Sequence, residues 1–196
     1  MNLFQLMSSQ TIICYHMIKE LIIRDFFSFK GEHKIELNSG VNILVGVNGS
    51  GKTSFLNAFT LLHEGIAGNG LSALFRQWGT YNAIINACGE QKPDCFSITY
   101  VFDADVLKKI VPASPFKNDV YYKITVFPIG DGTSYSLCET LYSEDSRCKK
   151  KKFAYLEFRN GIGQISVRKK SGTIEVEKYD GGMLSAQELA LRQITD

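Results

Sequence analysis

Metal and disulfide chemistry are thinly provided for in this chain. Five cysteines (Cys14, Cys88, Cys95, Cys138 and Cys148) are scattered over 196 residues, with no C-x-x-C pair, and only His16, His33 and His63 accompany them. Zinc sites need close ligand spacing and disulfide frameworks an even cysteine set, so these thiols read as free groups in a reducing compartment. Charge of one sign is scarce as well. Twenty-two Lys and Arg against 20 Asp and Glu leave a net charge of +2, which excludes a global pull toward nucleic acid and leaves only local ones. No long hydrophobic run is present: the apolar stretch at 11–15 is too short to span a bilayer, and residues 1–16 carry no basic region of the kind that opens a secretory signal. Internal repeats and low-complexity tracts are missing too. The 44% hydrophobic and 12% aromatic content is enough for one domain with a real core. The expectation is a cytoplasmic protein with no membrane contact. Residues 1–16 read as a disordered leader, residues 17–196 as the domain, with Met1 and Met17 both open as the true start.

What is there centres on one stretch. The apolar run at 43–45 is β-branched-rich, ends at Gly46, and is expected to be a buried strand. From Gly46 through Val47, Asn48, Gly49, Ser50, Gly51 and Lys52 to Thr53 the chain spells G-x-x-x-x-G-K-T, and a helical pattern begins at once. This is the P-loop in its required context of strand, glycine loop and helix. A triphosphate needs several backbone N–H donors converging on one concavity, and side chains beyond Cα obstruct that approach. Gly46, Gly49 and Gly51 remove the obstruction and permit positive φ. The helix start adds free N–H groups and the positive end of its dipole. Lys52 is placed to reach the β- and γ-phosphates of ATP, the Thr53 hydroxyl to ligate Mg2+, and Ser54 completes the set.

Around it, the sequence predicts strands at 17–23 and 33–37 before the P-loop, so two strands precede the one that delivers it. A helix over 52–66 presents Phe55, Leu56, Phe59, Leu61 and Leu62, and a short helix over 71–77 follows. A strand at 96–102 leads into a short amphipathic piece at 104–110, and Pro112 and Pro115 mark a loop. Five strand candidates follow at 121–127, 135–142, 153–158, 162–167 and 173–179, several separated by glycine turns. A last helix is expected over 185–193, capped by Ser185 with Glu188 three residues on.

Residues 17–66 resemble the N-terminal segment of the RecF/SMC-like branch of ABC-type ATPases, a group that includes OLD-family nucleases and phage-defence ATPases. The matching residues are Ile18 to Phe26 with Phe29, then Gly40-Val41-Asn42, and Gly46 to Ser54, where Asn48 before Gly-Ser-Gly-Lys is the ABC form of the loop. The resemblance implies an α/β fold, a P-loop NTPase of the ABC/SMC-head type, of which this is the N-terminal lobe with a β-rich meander after the P-loop helix. It also implies ATP held between two copies of the full protein, with DNA or a nuclease or effector partner acted upon, in DNA repair, DNA maintenance or phage defence. The family's C-terminal half has no counterpart in these residues: there is no signature loop, no hydrophobic run ending in Asp-Glu, and no later histidine. Phe27 also stands where a basic residue often follows the first Phe of the motif.

Three further features have two readings each. The strand at 99–102 ending in Asp103 has the look of a Walker B strand, and Asp103 is the one candidate for a catalytic, metal-orienting aspartate; the alternative is a strand ending in an aspartate turn. Leu184-Ser185-Ala186-Gln187-Glu188 faintly matches an ABC signature but lacks its glycines, which favours a plain helix cap. The basic run at 147–152 reads as a solvated loop or as a track for a nucleic-acid backbone. Function then divides between the ATP-binding lobe of a RecF/SMC-like ATPase, inactive without its other half, a stand-alone small P-loop kinase using Asp103, and a nucleotide-binding switch or scaffold that does not hydrolyse.

Overall fold

Period-two alternation dominates the second half of the chain and fixes which face of each strand is covered. In the strand Val120–Ile129, Tyr122, Ile124 and Val126 are wholly buried while Lys123 between them is exposed. In a computed structural model, which describes residues 17–86, 93–110, 116–130, 132, 134–144, 152–169 and 171–195, this pattern extends into one eight-stranded antiparallel sheet. The strands are β1 (Ile18–Arg24), β2 (Glu32–Glu36), β3 (Phe96–Phe102), β4 (Val120–Ile129), β5 (Ser134–Glu144), β6 (Lys152–Arg159), β7 (Ile162–Arg168) and β8 (Ile174–Tyr179), in spatial order β2-β1-β3-β4-β5-β6-β7-β8. From β3 onward each strand neighbours the next in sequence, so the expected meander after the P-loop helix is present.

Among the described residues five helices complete the α/β fold: α1 (Lys52–Ile66), α2 (Leu71–Trp78), α3 (Tyr81–Ile84), α4 (Ala104–Ile110) and α5 (Ala190–Thr195). Inward side chains tie α1, α2 and α5 to one face of the sheet. The Tyr100 hydroxyl donates to the Ala58 carbonyl of α1 at 2.6 Å, and Tyr135 lies 3.1 Å from the Ser72 hydroxyl of α2. Glu139 accepts from the backbone N–H groups of Ala190 and Leu191. Between these ties lies the core, with Leu21, Ile23, Leu61, Ile98, Ile124 and Leu141 fully buried. Each such side chain contributes roughly 1.5–3 kcal/mol of burial free energy. The other face carries Tyr121 and Tyr142, directly opposite one another and stacked at 5.1 Å, with the Lys152 ammonium 4.5 Å above the Tyr142 ring.

A hub forms where α1 ends and α2 begins. Leu189 packs so close to Gly65 that a Cβ there would meet it at 2.7 Å, and Arg192 donates to the carbonyls of Gly68 (2.7 Å) and Glu64 (3.4 Å). A cation on the last carbonyls of a helix complements its negative end.

Two expectations are corrected. Residues 41–47 form no strand, and Val41, Ile43, Val45 and Val47 are 79–88% exposed. A strand is stable only when a neighbour takes its N–H and C=O groups. Among the described residues β2 hydrogen-bonds only to β1, and no strand runs beside 41–47. The final helix starts at Ala190 rather than Ser185, because Glu188 turns away to another partner: it accepts from the backbone N–H groups of Leu71 (2.7 Å) and Ser72 (3.1 Å) and caps α2. No helix among the described residues is long and apolar enough to cross a membrane. The leader at 1–16, Cys14, Cys88, Cys148, Pro112, Pro115 and residues 147–151 of the basic run lie outside the described residues.

Candidate functional site

The loop that opens α1 is shaped by three glycines. Gly49 and Gly51 adopt φ of +84° and +94°, the left-handed region that only glycine enters at no steric cost. Gly46 lies close under Ser50: a Cβ there would meet its hydroxyl at 2.4 Å, so the serine rotamer would have to shift. A turn closes the loop with the Ser50 N–H donating to the Val47 carbonyl at 3.2 Å, and the Phe55 N–H donates to Gly51 at 2.9 Å to start the helix. Upstream, the Asn42 side chain clamps residue 38, accepting from its N–H at 2.8 Å and donating to its carbonyl at 3.0 Å.

The 15-residue α1 begins at Gly51 with no side chain capping it and no acidic residue in its first turn. Its first N–H groups and positive dipole end therefore remain available to an anion. Lys52 folds its ammonium back into the loop, donating to the carbonyls of Gly46 (2.6 Å) and Val47 (2.8 Å) and to the Ser50 hydroxyl at 3.4 Å. The loop thus holds a cation within a ring of backbone and hydroxyl groups, with no Cβ obstructing it at Gly49. Thr53 is exposed on the first turn. These residues fit a nucleotide phosphate and its Mg2+: backbone N–H groups and Lys52 for the phosphates, the Thr53 hydroxyl for the metal. Beside the loop lies a groove of about 410 Å3 between Leu37, Asn42 and Leu44 on one side and Phe55, Leu56 and Phe59 on the other.

Ser54 is placed differently from its neighbours. It is 8% exposed, and its hydroxyl accepts from the Ser28 hydroxyl at 2.7 Å and from the Ser28 N–H at 3.4 Å. Ser28 is thereby a member of the site that the loop motif alone does not name. The Phe26-Phe27-Ser28-Phe29 segment draws attention only through its phenylalanines, and nothing in it marks Ser28.

Asp103 is not brought to this loop. Its carboxylate accepts from the N–H groups of Asp105 (2.8 Å) and Val106 (3.0 Å), the capping geometry of α4, and its own N–H donates to Met17. Because β3 runs antiparallel to β1, with Phe102 beside Ile18 and Ser97 beside Arg24, Asp103 sits at the start of β1. Ser28, which touches α1, follows the end of β1. Six residue steps of strand separate the two ends by about 20 Å. The aspartate turn is the reading that this geometry supports. Among the described residues no group of three or more His, Cys, Asp or Glu side chains could hold a metal.

No curated protein matches the chain. A family model described as an AAA domain matches residues 20–183, from within β1 through β2, the loop with α1, and the meander to the end of β8. The chain therefore belongs to the AAA domain family, an ATP-binding, ATPase-like P-loop family.

Proposed function

We propose that this chain binds ATP–Mg2+ through Gly46, Val47, Asn48, Gly49, Ser50, Gly51, Lys52, Thr53 and Ser54, as the ATP-binding lobe of a RecF/SMC-like ATPase. The carrying observation is the loop itself: two left-handed glycines, a third packed under Ser50, Lys52 folded into the loop, and the uncapped start of a long helix beside it. Bound ATP–Mg2+ would supply the phosphoryl group. The backbone N–H groups would hold its phosphates, Lys52 would neutralise them, and Thr53 would hold the metal.

Hydrolysis also needs a second metal ligand and a group that positions water. Asp103 is engaged at the far end of β1, so those groups are assigned to a further lobe and to a second copy closing over the nucleotide, as the RecF/SMC resemblance implies. The exposed apolar run of Val41, Ile43, Val45 and Val47 beside the loop supports such a covering. Work on DNA, or on a nuclease or effector partner, in repair, maintenance or phage defence follows from the same resemblance. Engagement of Asp103 in a helix cap equally favours a second reading, a nucleotide-binding switch without turnover.

Calorimetry with ATP–Mg2+ tests the binding. Loss of the charge-assisted Lys52 contact in Lys52→Ala costs on the order of 2–5 kcal/mol, at least thirtyfold in affinity. Equal affinity in wild type and Lys52→Ala would overturn the assignment. Phosphate release by the 196-residue chain separates the first reading from a self-sufficient NTPase: none is expected.

A further inference from the structure

The loop between β1 and β2 is held in an unusual backbone shape. Of the described residues other than glycine, three have positive φ, and two of them, Asp25 (+53°) and Phe27 (+48°), lie here within three positions. Asp enters this region more readily than most residues, but Phe27 is bulky, so its left-handed backbone persists only because surrounding bonds over-determine it. The Asp25 N–H donates to Gly31 and the Asp25 carboxylate accepts from the Gly31 N–H at 2.7 Å, which closes the base of the loop. The last residue of α3 and the segment after it supply the rest. Ile84 accepts from the Phe27 N–H at 2.6 Å, the Asn86 N–H donates to the Asp25 carbonyl at 2.9 Å, and the Asn86 side-chain amide donates to the Phe27 carbonyl at 2.6 Å. Asn86 itself is 5% exposed. Both left-handed residues are thus gripped by one asparagine, through its backbone and its side chain.

The residue immediately after Phe27 is Ser28, whose hydroxyl and N–H both reach Ser54 on the first turn of α1. The same hydroxyl would lie 3.0 Å from a Cβ on Gly51, at the mouth of the phosphate loop. We propose that Asn86 is a positioning residue for the nucleotide site: it fixes the strained turn Asp25–Phe27 so that Ser28 braces Gly51 and Ser54 at the start of the P-loop helix. Asn86 lies 34 residues past Lys52, the first residue of α1, and acts on the loop through Phe27 and Ser28. This inference rests on the ATP-binding reading above, and its test separates the two.

Three variants carry the test, each measured for ATP–Mg2+ affinity, melting temperature and amide hydrogen exchange. Asn86→Ala removes the grip, Asn86→Asp keeps the shape but presents an acceptor to the Phe27 carbonyl, and Ser28→Ala removes the brace. Asn86→Ala and Asn86→Asp are each expected to weaken ATP binding about tenfold while remaining folded, and the double variant Ser28→Ala/Asn86→Ala no more than the worse single one. Without nucleotide, the amides of Ser28 and Phe55 are expected to exchange faster in both Asn86 variants. Wild-type affinity in a folded Asn86→Ala or Asn86→Asp, or additive losses in the double variant, would overturn the proposal. Unchanged exchange at Ser28 and Phe55 would overturn it whether or not ATP binds. Equal ATP affinity in wild type and Lys52→Ala would instead sink the ATP-binding reading, leaving the exchange measurement to judge the brace by itself.

Discussion

Tyr122 donates its hydroxyl proton to Glu139 at 2.7 Å, and both side chains are buried on the covered face of the sheet. The same carboxylate accepts from the N–H groups of Ala190 (2.6 Å) and Leu191 (3.0 Å), so one charge meets three donors and caps α5. Burial pushes the Glu139 carboxyl up to about 7, while the hydrogen bonds from Tyr122, Leu191 and Ala190 pull the other way. Burial also drives the Tyr122 hydroxyl well above its ordinary range, so Tyr122 stays a donor throughout.

A raised carboxylate makes stability depend on pH with a definite sign. Between its ordinary value of 4.5 and about 7, the folded chain holds a proton that the unfolded chain has released. Stability from this group is fully present below 4.5 and is lost as pH rises through about 7, by about 3 kcal/mol in total. Urea unfolding at pH 5 and pH 8 checks it: wild type is expected to lose stability over that interval by more than Glu139→Gln, which cannot titrate. Equal slopes for the two proteins would refute the buried-charge account.

Glu188 and Ser185 leave the roles that their spacing suggests: Glu188 caps α2, and Ser185 caps no helix. Removing the Glu188 carboxylate leaves the Leu71 and Ser72 N–H groups at the start of α2 without their acceptor. Loss of a cap costs about 1 kcal/mol, with a range of roughly 0.5–2. Glu188→Ala is therefore expected to lower the urea midpoint, whereas Ser185→Ala, at an exposed turn outside any helix, is expected to change stability by less than about 0.5 kcal/mol. A larger loss for Ser185→Ala would restore the helix that begins at Ser185.

These departures show what the sequence could and could not carry. β3 and α4 are legible at their observed bounds, because six of the seven residues running to Phe102 are strong β-formers and Asp103 is a ready helix cap. The phosphate loop was legible because its glycines answer to a local steric demand. Residues 43–45 have strand composition, but a strand depends on partners that composition does not record. The S-x-x-E spacing at 185–188 is a local signal that lost to a contact 117 residues away, between Glu188 and Leu71. Ser28 stayed hidden for a similar reason: its partner Ser54 lies 26 positions on, and the left-handed backbone at Asp25 and Phe27 falls on residues that do not advertise it.

Asp103 offers the sharpest division between the half-head and self-sufficient readings. If it oriented Mg2+, Asp103→Ala would weaken or abolish ATP-dependent chemistry and leave α4 untouched. The structure gives it the opposite character. Its carboxylate is occupied by the Asp105 and Val106 N–H groups, and its backbone is bonded to Met17 at the start of β1. The phosphate loop meets the sheet through Ser28, beyond the other end of β1, about 20 Å away along the strand. At that separation its charge is largely screened at ordinary salt, since the Debye length is about 8–10 Å. Asp103→Ala is accordingly expected to cost about 0.5–2 kcal/mol of stability through the lost cap and to leave ATP–Mg2+ affinity within twofold of wild type. Asp103→Asn, which keeps a capping oxygen without the charge, is expected to recover most of that stability. Urea unfolding and calorimetry on the two variants check both halves. Robust phosphate release that disappears in Asp103→Ala and Asp103→Asn alike, with stability intact, would make the chain a compact NTPase and remove the need for a second lobe.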